Sequence, residues 1–177
     1  PSRAALLTGR PAHEVGLLGL AHLGWGLSSE SRTFVRELQA AGYATALCGV
    51  QHVRGHQDPR GLQGLGYDES IPAPRLPGEE DVPGLAATDR AVARAAARWI
   101  SGRPQGAPFF LDVGFLLPHR PFEPDRSGAI PRGPAPAPGV PDTPEARADA
   151  ADYASSVGHM DACLGEVLDA LERSGLG

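Results

Sequence analysis

The segment Pro108–Leu116 narrows the possible folds of this chain more than any other. After the proline it reads Phe-Phe-Leu-Asp-Val-Gly-Phe-Leu, an apolar run that is nearly continuous rather than alternating. Such a run predicts a strand that is buried on both faces, as in a parallel sheet covered by helices. A shorter apolar segment, Tyr43–Cys48, is a second strand candidate. From Gly49 to Gly84 the chain reads as loop, because periodicity is weak and Gly, Pro and charged residues recur.

Two helices are predicted before the first strand. Pro1–Leu7 reads as helical turns, because proline suits a first helical position and Gly9 supplies the end. Ser31–Ala41 places its apolar residues at helical spacing, and Gly42 marks its end.

Two further helices surround the second strand. Thr88 is the expected N-cap of an alanine-rich helix that runs to about Ser101. A long helix follows Asp142 or Thr143, with Pro144 in its first turn. The order of helices and strands predicts an α/β fold with a mostly parallel sheet flanked by helices.

Composition excludes several classes of function. Hydrophobic residues make up 41% of the 177 residues, enough for a core, and the net charge of −5 is mild. No basic cluster indicates nucleic-acid binding, and no apolar run approaches the roughly 20 residues of a membrane segment. Cys48 and Cys163 do not form a metal-ligand pair, and we expect two buried free thiols.

Two histidines follow the predicted strands. His52 lies in the loop that begins at Gly49, and His119 in the loop that begins at Leu117. Because functional groups of α/β sheets gather at the carboxyl ends of the strands, we expect both at one edge. A loop histidine is more often solvated or structural, so position alone leaves that alternative open.

The first ten residues carry a motif. Pro-Ser-Arg-Ala-Ala-Leu-Leu-Thr-Gly-Arg resembles the signature of the sulfatases, which have an alkaline-phosphatase-like α/β fold. The resemblance implies a formylglycine, made from Cys or Ser by a formylglycine-generating or sulfatase-maturing enzyme, two positions before Pro1. It also implies that Arg3 is catalytic and helps to hold the charge of this nucleophile.

The segment Gly42–Val53 is similar to the family's Gly-Tyr-x-Thr strand followed by Gly-Lys-x-His. The resemblance implies a catalytic role for His52. It departs from the family at Val50, where the family has a lysine that gives its charge to the sulfate. Arg54 is the nearby cation that could replace it.

The segment Pro108–Phe122 resembles the family's Pro-Phe-Phe-Leu strand running into Pro-His-x-Pro. The resemblance implies that His119 contacts the sulfate and protonates the leaving group, a task suited to a side chain with a pKa near neutrality. Arg120, directly after it, is the second expected substrate-binding residue.

A fourth set of segments looks like the sulfamidase branch, which includes the N-sulfoglucosamine sulfohydrolases. These segments are Asp142–Asp149, Tyr153–Asp161 and the loop Gly16–Leu20, read together with Pro118-His119-Arg120. The implied substrate is a sulfated small molecule or glycan, of the heparan type in that branch.

The family resemblance also implies Ca²⁺, held by carboxylate and amide ligands. The carboxylates Asp58, Asp68 and Glu79–Asp81 match no ligand motif, so no metal ligand is expected in this chain. We therefore expect residues 1–177 to be a partial catalytic domain, truncated at both ends and inactive alone.

Three functions stay open at this point. The first is hydrolysis of sulfate esters or sulfamates. The second is a phosphodiesterase or phosphonate hydrolase of the same superfamily, since both classes bind a tetrahedral anion. The third is a non-catalytic, sulfatase-like binding protein, which Val50 favours.

Overall fold

The computed structural model describes residues 1–28, 30–54, 62–71, 84–124 and 134–176. Contacts within the chain define two units. The first comprises residues 1–72 and 102–114, and the second residues 73–101 and 115–175.

The first unit contains a three-stranded parallel sheet in the order β2-β1-β3. The strands are β1 (Ala44–Gly49), β2 (Glu69–Ile71) and β3 (Phe109–Gly114). Ala44 pairs with Phe109 at one end of the register and Gly49 with Gly114 at the other. The predicted α/β fold with a parallel sheet is therefore confirmed.

Two details of the sheet differ from the sequence expectation. β2 lies within the stretch expected to be loop, because three residues are too few to show a period of two. β3 is half-buried along most of its length, not buried on both faces. The central position belongs to β1, whose residues Thr45–Cys48 are buried.

The described part of this unit contains two short α-helices, α1 (Ser2–Thr8) and α2 (Phe34–Ala40), and 3-10 helices at Ala21–Leu23 and Gln63–Leu65. Gly9 ends α1 as predicted, at a φ of 66° that favours glycine. Thr33 caps α2, because its hydroxyl accepts the N–H of Arg36. The core combines helix, loop and strand side chains: Ala4, Leu7, Leu17, Leu27, Val35, Leu47, Val53, Leu65 and Tyr67.

The second unit pairs the helices α3 (Leu85–Ser101) and α4 (Pro144–Arg173). The predicted cap at Thr88 is wrong, since α3 already begins at Leu85. In the first turn of α3, the N–H of Ala86 donates to the carboxylate of Glu123 at 3.0 Å.

Thr143 is the N-cap of α4, and its hydroxyl accepts the N–H of Ala146 at 3.2 Å. It is one of the two N-cap residues that the sequence predicted.

Cys48 and Cys163 are buried free thiols, as expected. Among the described helices, none combines the length and the apolar character that crossing a membrane requires.

Candidate functional site

Arg3 lies on α1 and forms an ion pair with the sheet. Its guanidinium nitrogen is 3.8 Å from a carboxylate oxygen of Asp112 on β3. The other carboxylate oxygen of Asp112 accepts a hydrogen bond of 2.7 Å from the hydroxyl of Tyr67. Asp112 thus joins a buried phenol to the arginine that the sequence identified.

The electrostatics of this trio follow from burial. Burial raises the pKa of the Tyr67 phenol, and the charge of Asp112 raises it further. The phenol therefore stays a donor at neutral pH and orients the carboxylate toward Arg3. Sequence reasoning did not single out Asp112, although one carboxylate inside an apolar strand was a usable signal.

His52 occupies a left-handed backbone conformation just beyond β1, with a φ of 50°. Such a conformation is uncommon for a residue other than glycine and costs roughly 1–2 kcal/mol. The turn is closed by Gln51, whose side-chain oxygen accepts the N–H groups of Val53 and Arg54 at 2.6 and 2.8 Å. His52 is exposed on this turn.

Val50 and Arg54 flank this turn. Val50 is half-buried, and its N–H donates to the carbonyl of Gly114 at 2.9 Å. Arg54 is 2% exposed, and its Nε–H donates to the carbonyl of Leu27 at 3.3 Å. This contact gives Arg54 a structural role within the unit, and its use in place of the family's lysine stays a prediction.

His119 lies in the second unit, on a turn that its own N–H closes by donating to the carbonyl of Leu116 at 3.0 Å. Its Nδ1 is 2.5 Å from the carbonyl oxygen of Arg120. Because a carbonyl can only accept, Nδ1 must carry the proton. Nε2 is then the nitrogen that is left to contact a ligand, and the side chain is exposed.

Arg120 is held in a two-bond ion pair with Asp149 on α4, and both N–O distances are 2.6 Å. These hydrogen bonds raise the pKa of Arg120 and lower that of Asp149. The guanidinium also lies 4.1 Å from the ring centre of Phe122.

Arg120 and Phe122 line a cavity of about 660 Å³, together with Tyr153 and Val140 among others. A cavity of this size suits a small ligand.

Asp89 is a buried carboxylate that the sequence reasoning missed. It accepts the N–H groups of Leu116 and Leu117, each at 2.8 Å, just before the turn that carries His119. Burial raises its pKa, while the two backbone hydrogen bonds act in the opposite direction. The sequence signal that could have identified Asp89 is an acidic residue at helical spacing from apolar ones. It shares a helix face with Ala86, Ala93 and Ala96.

The structure thus places the predicted residues in two groups. Arg3 and His52 belong to the first unit, and His119 and Arg120 to the second. The expectation that His52 and His119 lie at one edge of the sheet stays a prediction.

The carboxylates considered as metal ligands are Asp58, Asp68 and Glu79–Asp81. Asp58 and Glu79–Asp81 lie outside the described residues. Asp68 accepts hydrogen bonds from Gln39 and Thr45, which lower its pKa. In the part of the chain that the structure describes, no three His, Cys, Asp or Glu side chains cluster to hold a metal. Calcium binding by the whole protein stays a prediction.

Comparisons with known proteins place this geometry in context. A family model described as Sulfatase matches residues 1–177. No curated protein matches the chain.

Several solved structures share the fold. One is a Bacteroides thetaiotaomicron protein described under the metabolism of multiple glycosaminoglycans, with 17% identity, a TM-score of 0.73, and coverage of 99% of this chain and 46% of that one. A protein solved with its substrate D-glucosamine-2-N,6-O-disulfate has 19% identity, a TM-score of 0.65, and coverage of 99% and 52%.

A phosphonate monoester hydrolase of Agrobacterium radiobacter is also similar, with 18% identity and a TM-score of 0.63. Coverage there is 99% of this chain and 50% of that one. The chain thus spans about half the length of the solved structures that it matches. At these identities the likeness concerns the fold.

Proposed function

The chain belongs to the sulfatase family, and on that premise we propose that the protein hydrolyses sulfate esters or sulfamates. The observation that carries the proposal is the geometry of His119. Its Nδ1 proton is bound by the Arg120 carbonyl, which leaves Nε2 to deliver a proton to the leaving group.

In the proposed reaction, the hydroxyl of a formylglycine hydrate upstream of Pro1 attacks sulfur. The attacking hydroxyl loses its proton to water as the new oxygen–sulfur bond forms. The bond from sulfur to the leaving oxygen or nitrogen breaks, and the leaving group takes the Nε2 proton of His119 in its imidazolium form. The second hydroxyl of the hydrate then loses its proton and expels inorganic sulfate, which restores the aldehyde. Arg3 supports the charge of the nucleophile, and Asp112 orients Arg3 through their ion pair. Ca²⁺ bound elsewhere in the whole protein would supply further positive charge to the sulfate oxygens.

A sulfated glycan is the substrate class we propose. The cavity beside Arg120 has the volume of a small-ligand site, and aromatic side chains such as Phe122 and Tyr153 can pack against sugar rings. The protein solved with D-glucosamine-2-N,6-O-disulfate binds a sulfated amino sugar and has a similar fold. An N-sulfoglucosamine substrate, as in the sulfamidase branch, is the narrower form of this proposal.

The test is turnover by the whole protein, matured with a formylglycine-generating enzyme. Release of inorganic sulfate from 2-N- and 6-O-sulfated glucosamine is measured beside hydrolysis of a phosphonate monoester. Sulfate release supports the proposal. Phosphonate hydrolysis without it would identify the second superfamily activity, and binding without either reaction would identify a binding protein.

Replacement of His119 makes the test specific. His119→Ala should lower kcat by roughly 10²–10⁴, the range for losing a general acid. His13→Ala is the matched control, because His13 is an exposed loop histidine of the first unit. An equal effect of both substitutions would argue against the assigned role of His119.

A further inference from the structure

We propose that Asp89 is a positioning residue for His119, which it holds through the backbone of the turn between them. The inference rests on the proposed function, since it concerns the residue assigned there as the proton donor. It adds to the site a helix residue that does not touch the reacting atoms.

The chain of contacts is short and continuous. Asp89 is 0% exposed, and its carboxylate oxygens accept the N–H groups of Leu116 and Leu117 at 2.8 Å each. The carbonyl of Leu116 in turn accepts the N–H of His119 at 3.0 Å. A shift of the Asp89 carboxylate therefore moves the residue that closes the turn.

The far side of the same loop is also anchored. The carboxylate of Glu123 accepts the N–H of Ala86 on α3, and the N–H of Glu123 donates to the buried hydroxyl of Ser156 on α4 at 2.8 Å. The loop is thus bonded to α3 on the N-terminal side of His119, through Leu116 and Leu117. On the C-terminal side it is bonded to both α3 and α4, through Glu123. Asp89 supplies the first of these anchors.

The hydrogen bonds to the loop account for a carboxylate at this position. The neighbouring inward positions of α3 are Ala86, Val92, Ala93 and Ala96. An apolar residue among them would avoid the cost of burying a carboxylate. What Asp89 adds is two acceptors that satisfy adjacent N–H groups of a loop. Such placement matters because a misplacement of about 1 Å can lower a reaction rate on the order of 10²-fold.

The experiment compares three variants of the whole protein. Asp89→Ala removes both acceptors, and Asp89→Asn keeps one oxygen acceptor in the same shape. Val92→Ala is the control, because it removes buried volume from the same helix and leaves the Asp89 carboxylate in place. For each variant, kcat, KM, thermal stability and amide hydrogen exchange of residues 115–121 are measured.

Asp89→Ala should lower kcat about 10- to 100-fold and change KM less than about threefold, with faster exchange at Leu116 and Leu117. Asp89→Asn should lie between it and the wild type, and it carries the comparison if the alanine variant does not fold. Val92→Ala should lose stability yet keep kcat and the exchange of the turn.

Two results would overturn the inference. One is a kcat that falls equally in Asp89→Ala and Val92→Ala, which would reduce Asp89 to a stabilising residue. The other is unchanged exchange of the turn in the Asp89 variants. Because exchange requires no substrate, it tests the anchor even if the wild type releases no sulfate, a result that would contradict the proposed function instead.

Discussion

The hydroxyl of Tyr67 donates a hydrogen bond to the carboxylate of Asp112 across 2.7 Å, and Asp112 in turn pairs with Arg3. Tyr67 is 1% exposed, and burial together with the charge of Asp112 raises the pKa of its phenol. This contact therefore links the pH dependence of stability to the position of a predicted catalytic residue.

A group whose pKa is higher in the folded state stabilises the fold below its unfolded pKa, which is about 10 for tyrosine. That stabilisation is lost as the pH rises toward the folded value. We expect the free energy of unfolding to fall above about pH 10, and Tyr67→Phe to remove much of this decrease. Urea unfolding across this pH range measures it. Tyr43→Phe, which removes a phenol outside this contact, should leave the decrease in place.

Replacing Gly114 with alanine should lower the free energy of unfolding, and replacing Gly158 with alanine should raise it. A Cβ at Gly114 would collide with the backbone carbonyl of Val50, so Gly114→Ala should destabilise the fold by about 1–3 kcal/mol. Gly158 is exposed within α4 and has open space beside it. Gly158→Ala should therefore stabilise the protein by about 1 kcal/mol, through helix propensity. Denaturant midpoints compare the two, and a stabilising Gly114→Ala would contradict the close packing of β1 and β3.

The pair of Arg120 and Asp149 should act as a unit in substrate binding. We expect Arg120→Ala to raise KM about tenfold, the loss of one charge-assisted hydrogen bond to an anion. Asp149→Ala should raise KM by a similar factor, because Arg120 would lose the partner that orients it. The double variant should be no worse than either single one, which is the mark of coupled residues.

The control for this cycle is a second ion pair, between Arg147 in the first turns of α4 and Asp142, which precedes the helix. Arg147 binds Asp142 through two hydrogen bonds of 2.6 and 2.7 Å. Arg147→Ala should change KM by less than about twofold, because neither Arg147 nor Asp142 lines the cavity. Additive effects of the Arg120 and Asp149 substitutions would show that they act separately.

Val50→Lys should raise turnover on a sulfated substrate. Val50 stands where the resembling family has a lysine, and loss of one cation at an anion site costs on the order of 10²–10³ in rate. Val50 is half-buried at the end of β1, so Val50→Leu controls for the change in size. Sulfate release by the two variants is the measurement. No gain from lysine would favour a binding protein over an impaired enzyme.

Local signals predicted most of the secondary structure. Gly9 ends α1, Thr143 caps α4, and the two apolar runs became the paired strands β1 and β3. These features depend on backbone preferences and on hydrophobic patterns that span a few residues. β2 was missed because its three residues acquire their strand conformation by pairing with β1, a partner distant in the sequence.

The sequence by itself determined the family motifs, the α/β class and the choice of Arg3, His52, His119 and Arg120 as site residues. Only the tertiary structure decided which residues support them. Asp89 is far in sequence from the turn it binds, and Tyr67 is far from Asp112. Both carboxylates were visible as charges in apolar segments, but a charge does not reveal its partner. The partner is decided by which distant donors the fold brings within hydrogen-bonding distance of a group that burial has removed from water.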